Sequence, residues 1–339
     1  MPDPVVSIVI PAHNAGGSLI EAVDSALGQT FADLEVVVVD DGSVDGTTER
    51  LRGVEDERLR VISQENHGQS SAINKGVEVS RGEYIKVLDA DDWLNPAHIE
   101  SQLAALDGSD RHVASCRWGY FLSNVENLRT RDETVNRNFD DPLEWLSDSL
   151  TCDEGMMGGW MWLIPRRLWQ QAGGFDPRLG LNNDFHFSVN LLLASEGVRF
   201  AEKAVYGYRK GVSGALSASA GRAAMESAYL TTDLGTQLLL QREDSQRIRK
   251  ICADRFQHWL FRFYPEYPDL ALRAEQRIAE LGGSSRQLQG GRVLKLMKPL
   301  IGWKGVRRLQ TFASRMGWEA VLRYKADKRL KQIDGGMES

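Results

Sequence analysis

The sequence predicts an α/β fold: a mostly parallel central sheet with flanking helices, followed by a C-terminal α-helical region. The first hundred residues alternate short apolar runs with helical patterns, and that alternation implies parallel strands covered by helices. From about Ala218 onward the pattern is helical. Three polar clusters, Ala12-His13-Asn14, Asp40-Asp41-Gly42-Ser43 and Asp89-Ala90-Asp91-Asp92, each follow a strand pattern. Sheets of this type bind ligands outside the carboxyl ends of their strands.

Each element has a local reason. Val5 to Ile10 is a β-branched run stopped by Pro11. Ser18-Leu19-Ile20-Glu21 reads as a capping box, with Ser18 as N-cap and Glu21 reaching back, and opens a helix to about Leu27. Leu34 to Val39 is nearly continuous in apolar residues, as a strand buried on both faces is. A short helix ends near Leu51, Leu59 to Ser63 is a third strand, and Gln69 to Ser80 is a helix stopped by Arg81-Gly82. Tyr84 to Leu88 is the fourth strand. Asn95-Pro96 then caps a helix with Pro96 at its first position. From Val113 to Tyr208 short strands and long loops mix, and helices are expected at 223–241, 246–263 and 270–281.

Composition bounds the function. The chain has 339 residues, 42% hydrophobic and 26% charged, as in ordinary globular proteins. A net charge of -6 argues against nucleic acid as a partner. Cys116, Cys152 and Cys252 are far apart and form no CxxC, which points to neither a disulfide framework nor zinc. The start, Met1-Pro2-Asp3-Pro4, has no basic and apolar signal pattern, and no run of 18 apolar residues exists. The expectation is a cytoplasmic protein. The segment from Arg286 to Gln332 differs from the rest, with thirteen Lys or Arg against Glu319 and Asp327 and apolar residues at helical spacing. Such a basic amphipathic pattern either lies on an anionic membrane surface or packs as a tail with a solvated basic face.

The acidic block sets the chemistry. Asp89, Asp91 and Asp92 put three carboxylates within four residues at a strand end. Like charges 4 Å apart repel by about 1 kcal/mol in water and about 4 at an effective dielectric near 20. A divalent cation shared with a phosphate would relieve that repulsion; a solvated acidic turn is the alternative.

The chain resembles the family 2 glycosyltransferases, inverting enzymes of the Rossmann-like GT-A fold that use nucleotide-sugar donors. The resemblance runs from about Val6 to Ser217. It rests on the order and spacing of several blocks: Val6 to Asn14, Ser25 to Thr30, Glu35 to Ser43, Gly68 to Gly76 and Gly82 to Asp92. It implies a transferase domain over 1–217 and a helical region over 218–339 that carries the basic tail, about 286–332. The implied donor-binding residues are Pro11, Ala12, His13, Asn14, Asp41, Gly68, Ser71, Asn74, Asp89, Ala90 and Asp91. Asp41 would accept the imide N–H of a uracil, and one acid of the block would touch the ribose. Asp91, with Asp92 as second candidate, would hold Mg²⁺ or Mn²⁺ on the diphosphate.

A second centre follows Gly173-Gly174-Phe175-Asp176. Relatives carry Glu-Asp here; this chain has Asn183-Asp184. The resemblance implies Asp184 as the base that deprotonates an acceptor hydroxyl, with capping of the following helix as its other reading. Arg209 or Lys210 would contact the diphosphate. The segment Gly158 to Trp162 either borders the acceptor, since tryptophan faces suit sugar rings, or packs in the core. The implied partners are a nucleotide sugar, most simply a UDP-sugar, and a glycan or lipid-linked glycan acceptor. A catalytically silent binder and a sugar nucleotidyltransferase are the alternatives. The latter lacks support, because the loop after the first strand has no Arg or Lys.

Overall fold

The computed structural model describes residues 3–151, 156–212, 216, 219–288 and 292–316, with only the backbone at 292–298 and 314–315. Cys152, Ser217 and the tail beyond 316 lie outside the described residues. The chain divides into two compact units, Met1–Ile248 and Arg249–Ser339.

In the first unit the elements follow in order: β1 (Val6–Ala12), α1 (Ser18–Leu27), β2 (Leu34–Asp41), α2 (Thr47–Leu51), β3 (Leu59–Gln64), α3 (Gln69–Val79) and β4 (Tyr84–Val87). Then come β5 (Trp93–Leu94), α4 (His98–Leu106), β6 (Val113–Phe121), β7 (Arg129–Thr130), α5 (Pro142–Thr151) and β8 (Leu163–Pro165). The unit closes with α6 (Arg166–Ala172), α7 (Asn183–Ala194), β9 (Val198–Arg209) and α8 (Arg222–Arg242). The strands form one sheet in the order β3-β2-β1-β4-β8-β6-β9-β5, with β7 on β6. The β3-β2-β1-β4 half is parallel. Beyond β4 the sheet is mixed: β8 is antiparallel to β4 and β6, while β9 runs parallel to β6.

Every residue of β1 and β2 is buried, as their unbroken apolar runs require. From β1 the chain moves outward through β2 to β3 and then returns to the other side of β1 as β4. This reversal opens a crevice between the carboxyl ends of β1 and β4, where such sheets place ligands. The Ala12 and Asp89 clusters flank that crevice.

Two local expectations are corrected. The capping box does not form: Gly17 is the N-cap of α1, the Ser18 hydroxyl donates to the Ala15 carbonyl, and Glu21 pairs with Arg209. The helix after Asn95-Pro96 starts at His98 because the Asn95 side chain is taken by β9, donating to the Lys203 carbonyl and accepting the Val205 N–H. Helix α8 belongs to the first unit. Ser227 on it accepts the Gly180 N–H at 2.8 Å.

The second unit holds most of α9 (Gln246–Phe263), α10 (Pro268–Glu280) and α11 (Arg292–Arg315), the last kinked at Gly302. On α11, Leu300, Ile301, Leu309 and Phe312 are exposed, as is Met316 just beyond it. Among the described residues no helix is long and apolar enough to cross a membrane.

Candidate active site

The site assembles from three strand ends and one helix N-terminus. After β1, the Asn14 N–H donates to the Ser43 hydroxyl at 2.9 Å, and the Asn14 side chain accepts the Val44 N–H at 2.9 Å. These bonds stitch the loop after β1 to the loop after β2. His13 donates from Nδ1 to the Asp41 carbonyl at 2.7 Å. Pro11 and Ala12 are the buried end of β1, which runs two residues past the Ile10 end that the proline stop implies.

The paired acids after β2 divide their labour. Asp40 caps the turn, accepting the Ser43 N–H at 3.0 Å and the Thr48 hydroxyl at 2.5 Å. Burial pushes its carboxyl up, but these bonds outweigh it and hold the group below its ordinary range. Asp41 reaches the other way. Its Oδ1 accepts from Gln64 Nε2 at 2.7 Å and the His67 N–H at 2.9 Å, and its Oδ2 accepts the Gly68 N–H at 2.8 Å. A carboxylate offers about four acceptor positions, so Oδ2 retains room for one further donor. Gly68 has a φ of 87°, which a side chain would strain, and the space above its Cα is open.

The acidic block is a turn closed by the Asp92 N–H on the Asp89 carbonyl at 3.1 Å. Strand β9 clamps it. The Tyr206 hydroxyl donates to Asp92 Oδ2 at 2.7 Å and accepts the Asp89 N–H at 3.3 Å. Arg209 donates its backbone N–H to Asp92 Oδ1 and its Nε–H to the Asp91 carbonyl, both at 2.7 Å. Asp92 is fully buried with both oxygens engaged. The Asp91 carboxylate, among the described residues, has no hydrogen bond to another residue. Arg209 is spent on this clamp and on Glu21, 2.6 Å from its Nη2, and Lys210 lies 3.8 Å over the Tyr120 ring.

Burial raises all three carboxyls above their ordinary range. For Asp89 the charges of Asp91 and Asp184 add to burial, and for Asp92 those of Asp89 and Asp91 do; for Asp91 the Arg209 charge opposes it. Among the described residues no three His, Cys, Asp or Glu converge on one metal position. That donor set fits a hard cation of the Mg²⁺ type, which takes one or two carboxylates and completes its shell with substrate phosphates and water. Asp91 would hold it.

Asp184 lies in the first turn of α7. Its Oδ1 accepts the Gly159 N–H at 2.7 Å, and burial, against that bond, pushes the carboxyl up to about 6. A Cβ on Gly159 would sit 2.6 Å from Phe175 Cζ and 3.2 Å from Asp184 Oδ1, so only glycine allows this approach. The next carbonyl, of Trp160, accepts from Lys86 Nζ at 2.6 Å. Lys86 is fully buried on β4, and burial lowers it to about 8.

Other expected residues are placed as follows. Asn74 spends both halves of its amide on Phe175, donating to its carbonyl at 2.6 Å and accepting its N–H at 2.9 Å. It tethers the Gly173–Asp176 turn to α3. Ser71 lines a cavity of about 580 Å³ with Gln64, Asn74, Trp169 and Gly174. Ala90 is buried within the acidic turn. Trp160 and Trp162 are core residues, 3% and 0% exposed. Trp160 stacks on Tyr206 at 4.1 Å, and Trp162 meets Trp145 edge-on at 4.8 Å.

Gln69, Lys86 and Tyr206 escaped the sequence reading, and Gly159 entered it only as part of the Gly158–Trp162 segment. A lysine inside an apolar strand run was the one available signal.

Residues 7–170 match the model of glycosyl transferase family 2. An uncharacterized glycosyltransferase of Rickettsia felis is 34% identical over 191 residues, covering 56% of this chain and 31% of that protein. The uncharacterized glycosyltransferase EpsJ of Bacillus subtilis is 29% identical over 212 residues, covering 61% of each. Chondroitin synthase of Escherichia coli is 32% identical over 199 residues, 57% of this chain and 27% of that one. The chain thus spans between about a quarter and three fifths of the length of the curated relatives it matches. The crystal structure of S. aureus TarS 1-349 in complex with UDP-GlcNAc shares the fold, with a TM-score of 0.63 at 18% identity over 92% of both chains. Over residues 7–170 this chain is therefore similar to glycosyl transferase family 2.

Proposed function

We propose that the chain is an inverting, metal-assisted glycosyltransferase. In this reading it moves a sugar from a UDP-sugar to a hydroxyl of a glycan or lipid-linked glycan in one in-line displacement. The observation that carries it is the pairing of a free carboxylate, Asp91, beside the fully bonded Asp92, with a carboxylate of raised pKa, Asp184, at a helix start. The TarS complex, which shares the fold, contains UDP-GlcNAc, and this supports a UDP-sugar donor.

Asp41, with one acceptor position left on Oδ2, and the open face of Gly68 receive the base. Asp89 lies beside the ribose. When bound on Asp91, Mg²⁺ or Mn²⁺ supplies a Lewis acid that neutralises charge on the departing diphosphate. Asp184 takes the acceptor proton as the hydroxyl oxygen attacks the anomeric carbon, a contribution typically worth about 10²–10⁴ in rate. Its raised carboxyl suits this, because a base works best when its pKa approaches the working pH. Gly159 aims the carboxylate from one side, and Lys86 anchors the Gly159–Trp160 turn.

The acceptor side draws on the tail. Leu309 and Phe312 on α11 and Met316 just beyond it are 41%, 65% and 74% exposed, and belong to a strongly basic segment. This supports peripheral contact with an anionic membrane that presents a lipid-linked acceptor. Loss of anionic-vesicle binding on deletion of 286–339 would support that contact; retained binding would end it.

The test of the activity is a panel of UDP-, GDP- and dTDP-sugars with Mn²⁺, read as free nucleoside diphosphate. Release that depends on an acceptor supports the reading. Binding without release under any acceptor favours a silent binder, and dependence on pyrophosphate favours a nucleotidyltransferase.

A further inference from the structure

The start of α3 joins the acidic turn to the start of α7 through two amides. Asn183, 3% exposed, accepts the Asp184 N–H on Oδ1 at 2.9 Å. Its Nδ2 donates to Gln69 Oε1 at 3.2 Å and to Ser70 Oγ at 3.0 Å. Gln69 Nε2 in turn donates to Asp89 Oδ1 at 2.9 Å. The polarity of this chain is fixed at both ends. The Asp184 N–H is only a donor, so Asn183 must present oxygen to it and NH₂ to Gln69. The Ser70 hydroxyl proton is committed to the Leu179 carbonyl at 2.6 Å, so Ser70 can only accept from Asn183. With Oε1 turned to Asn183, Gln69 has only its NH₂ for Asp89.

We propose that Asn183 and Gln69 are positioning residues, an amide relay that orients the Asp89 carboxylate for a nucleoside diphosphate and ties it to the turn bearing Asp184. The proposal rests on the donor reading above. The relay gives the loop after β4 and the N-terminus of α7 one shared geometry, although 95 positions separate Asp89 from Asp184.

The test uses the isosteric change Asn183→Asp. An aspartate there offers only acceptors, toward a committed Ser70 hydroxyl and a Gln69 oxygen. Gln69 must then turn its NH₂ to position 183 and its oxygen to Asp89. Binding of UDP with Mn²⁺ to the full chain, followed by calorimetry, is expected to weaken about tenfold, the scale of losing one hydrogen bond to a charged group. Asn183→Ala, which removes the relay without reversing it, is expected to weaken binding less. In a Gln69→Leu background, with no amide to turn, Asn183→Asp is expected to add nothing further, a non-additivity that marks direct interaction. A packing role alone predicts the opposite order, with Ala worse than Asp and the two sites additive. UDP affinity within twofold of wild type in a folded Asn183→Asp variant overturns the relay and leaves the donor reading intact. Failure of the unmodified chain to bind UDP overturns both.

Discussion

The Tyr206 hydroxyl lies 2.7 Å from Asp92 Oδ2, and this bond, with that from the Arg209 N–H, takes Asp92 out of the pool of free carboxylates. Of these two acids, Asp91 is the one whose carboxylate is left for the cation proposed above. Asp91→Asn is expected to abolish Mn²⁺-dependent nucleotide release while leaving the unfolding midpoint in urea unchanged or raised, since burial disfavours the Asp91 charge. Tyr206→Phe leaves the Asp89 N–H and Asp92 Oδ2 without their partner and is expected to destabilise by about 1–3 kcal/mol. Stability loss in Asp91→Asn but not in Tyr206→Phe would reverse the assignment of the two acids.

Asp184 has a carboxyl raised from 3.8 to about 6 by burial. The base must be ionised, so kcat/KM is expected to fall on the acid side of an apparent pKa near 6. The same burial disfavours the charge in the folded state. The folded chain holds a proton that the unfolded chain has lost between pH 4 and 6, so stability falls as pH rises through that window. Asp184→Asn keeps an oxygen for Gly159 and removes the charge. It is expected to abolish turnover, retain UDP binding and gain up to about 3 kcal/mol at pH 7. Unchanged turnover would remove Asp184 from the chemistry.

Lys86 shows the opposite sign. Burial lowers it from 10.5 to about 8, so between those values the unfolded chain carries a proton the folded chain lacks. Stability contributed at this position therefore rises with pH across that window and is lowest below pH 8. Against Lys86→Met, the native chain is expected to gain up to about 3 kcal/mol between pH 7.5 and 10.5, read from urea midpoints. Parallel pH profiles for the two proteins would show that Lys86 titrates normally.

Gly159→Ala places a methyl group against Phe175 and Asp184. Overpacking of this kind costs about 1–3 kcal/mol, and the displaced Asp184 should lower kcat more than it raises the donor KM. An equal change in both would place the damage at the donor instead.

What the sequence made legible was local. Unbroken apolar runs gave β1 and β2, and the polar residues that end them gave the ligand edge. Asp184 at a helix start needed only its neighbours. The illegible parts depend on distant partners. Tyr206 meets Asp92 across 114 positions, and Lys86 meets Trp160 across 74. Glu21 abandons its own helix start for Arg209, 188 positions away, which no local capping pattern encodes. Trp160 and Trp162 suited either sugar or core until Tyr206 and Trp145 were seen against them.

Strand β9 supplies both Tyr206 and Arg209, yet it begins 28 residues after position 170, where the family match stops. A fragment trimmed to that match would keep every acid of the turn and lose what shapes it. Asp92 would then compete with Asp91 for any cation, and the smallest portion of the chain worth expressing on its own must reach at least Arg209.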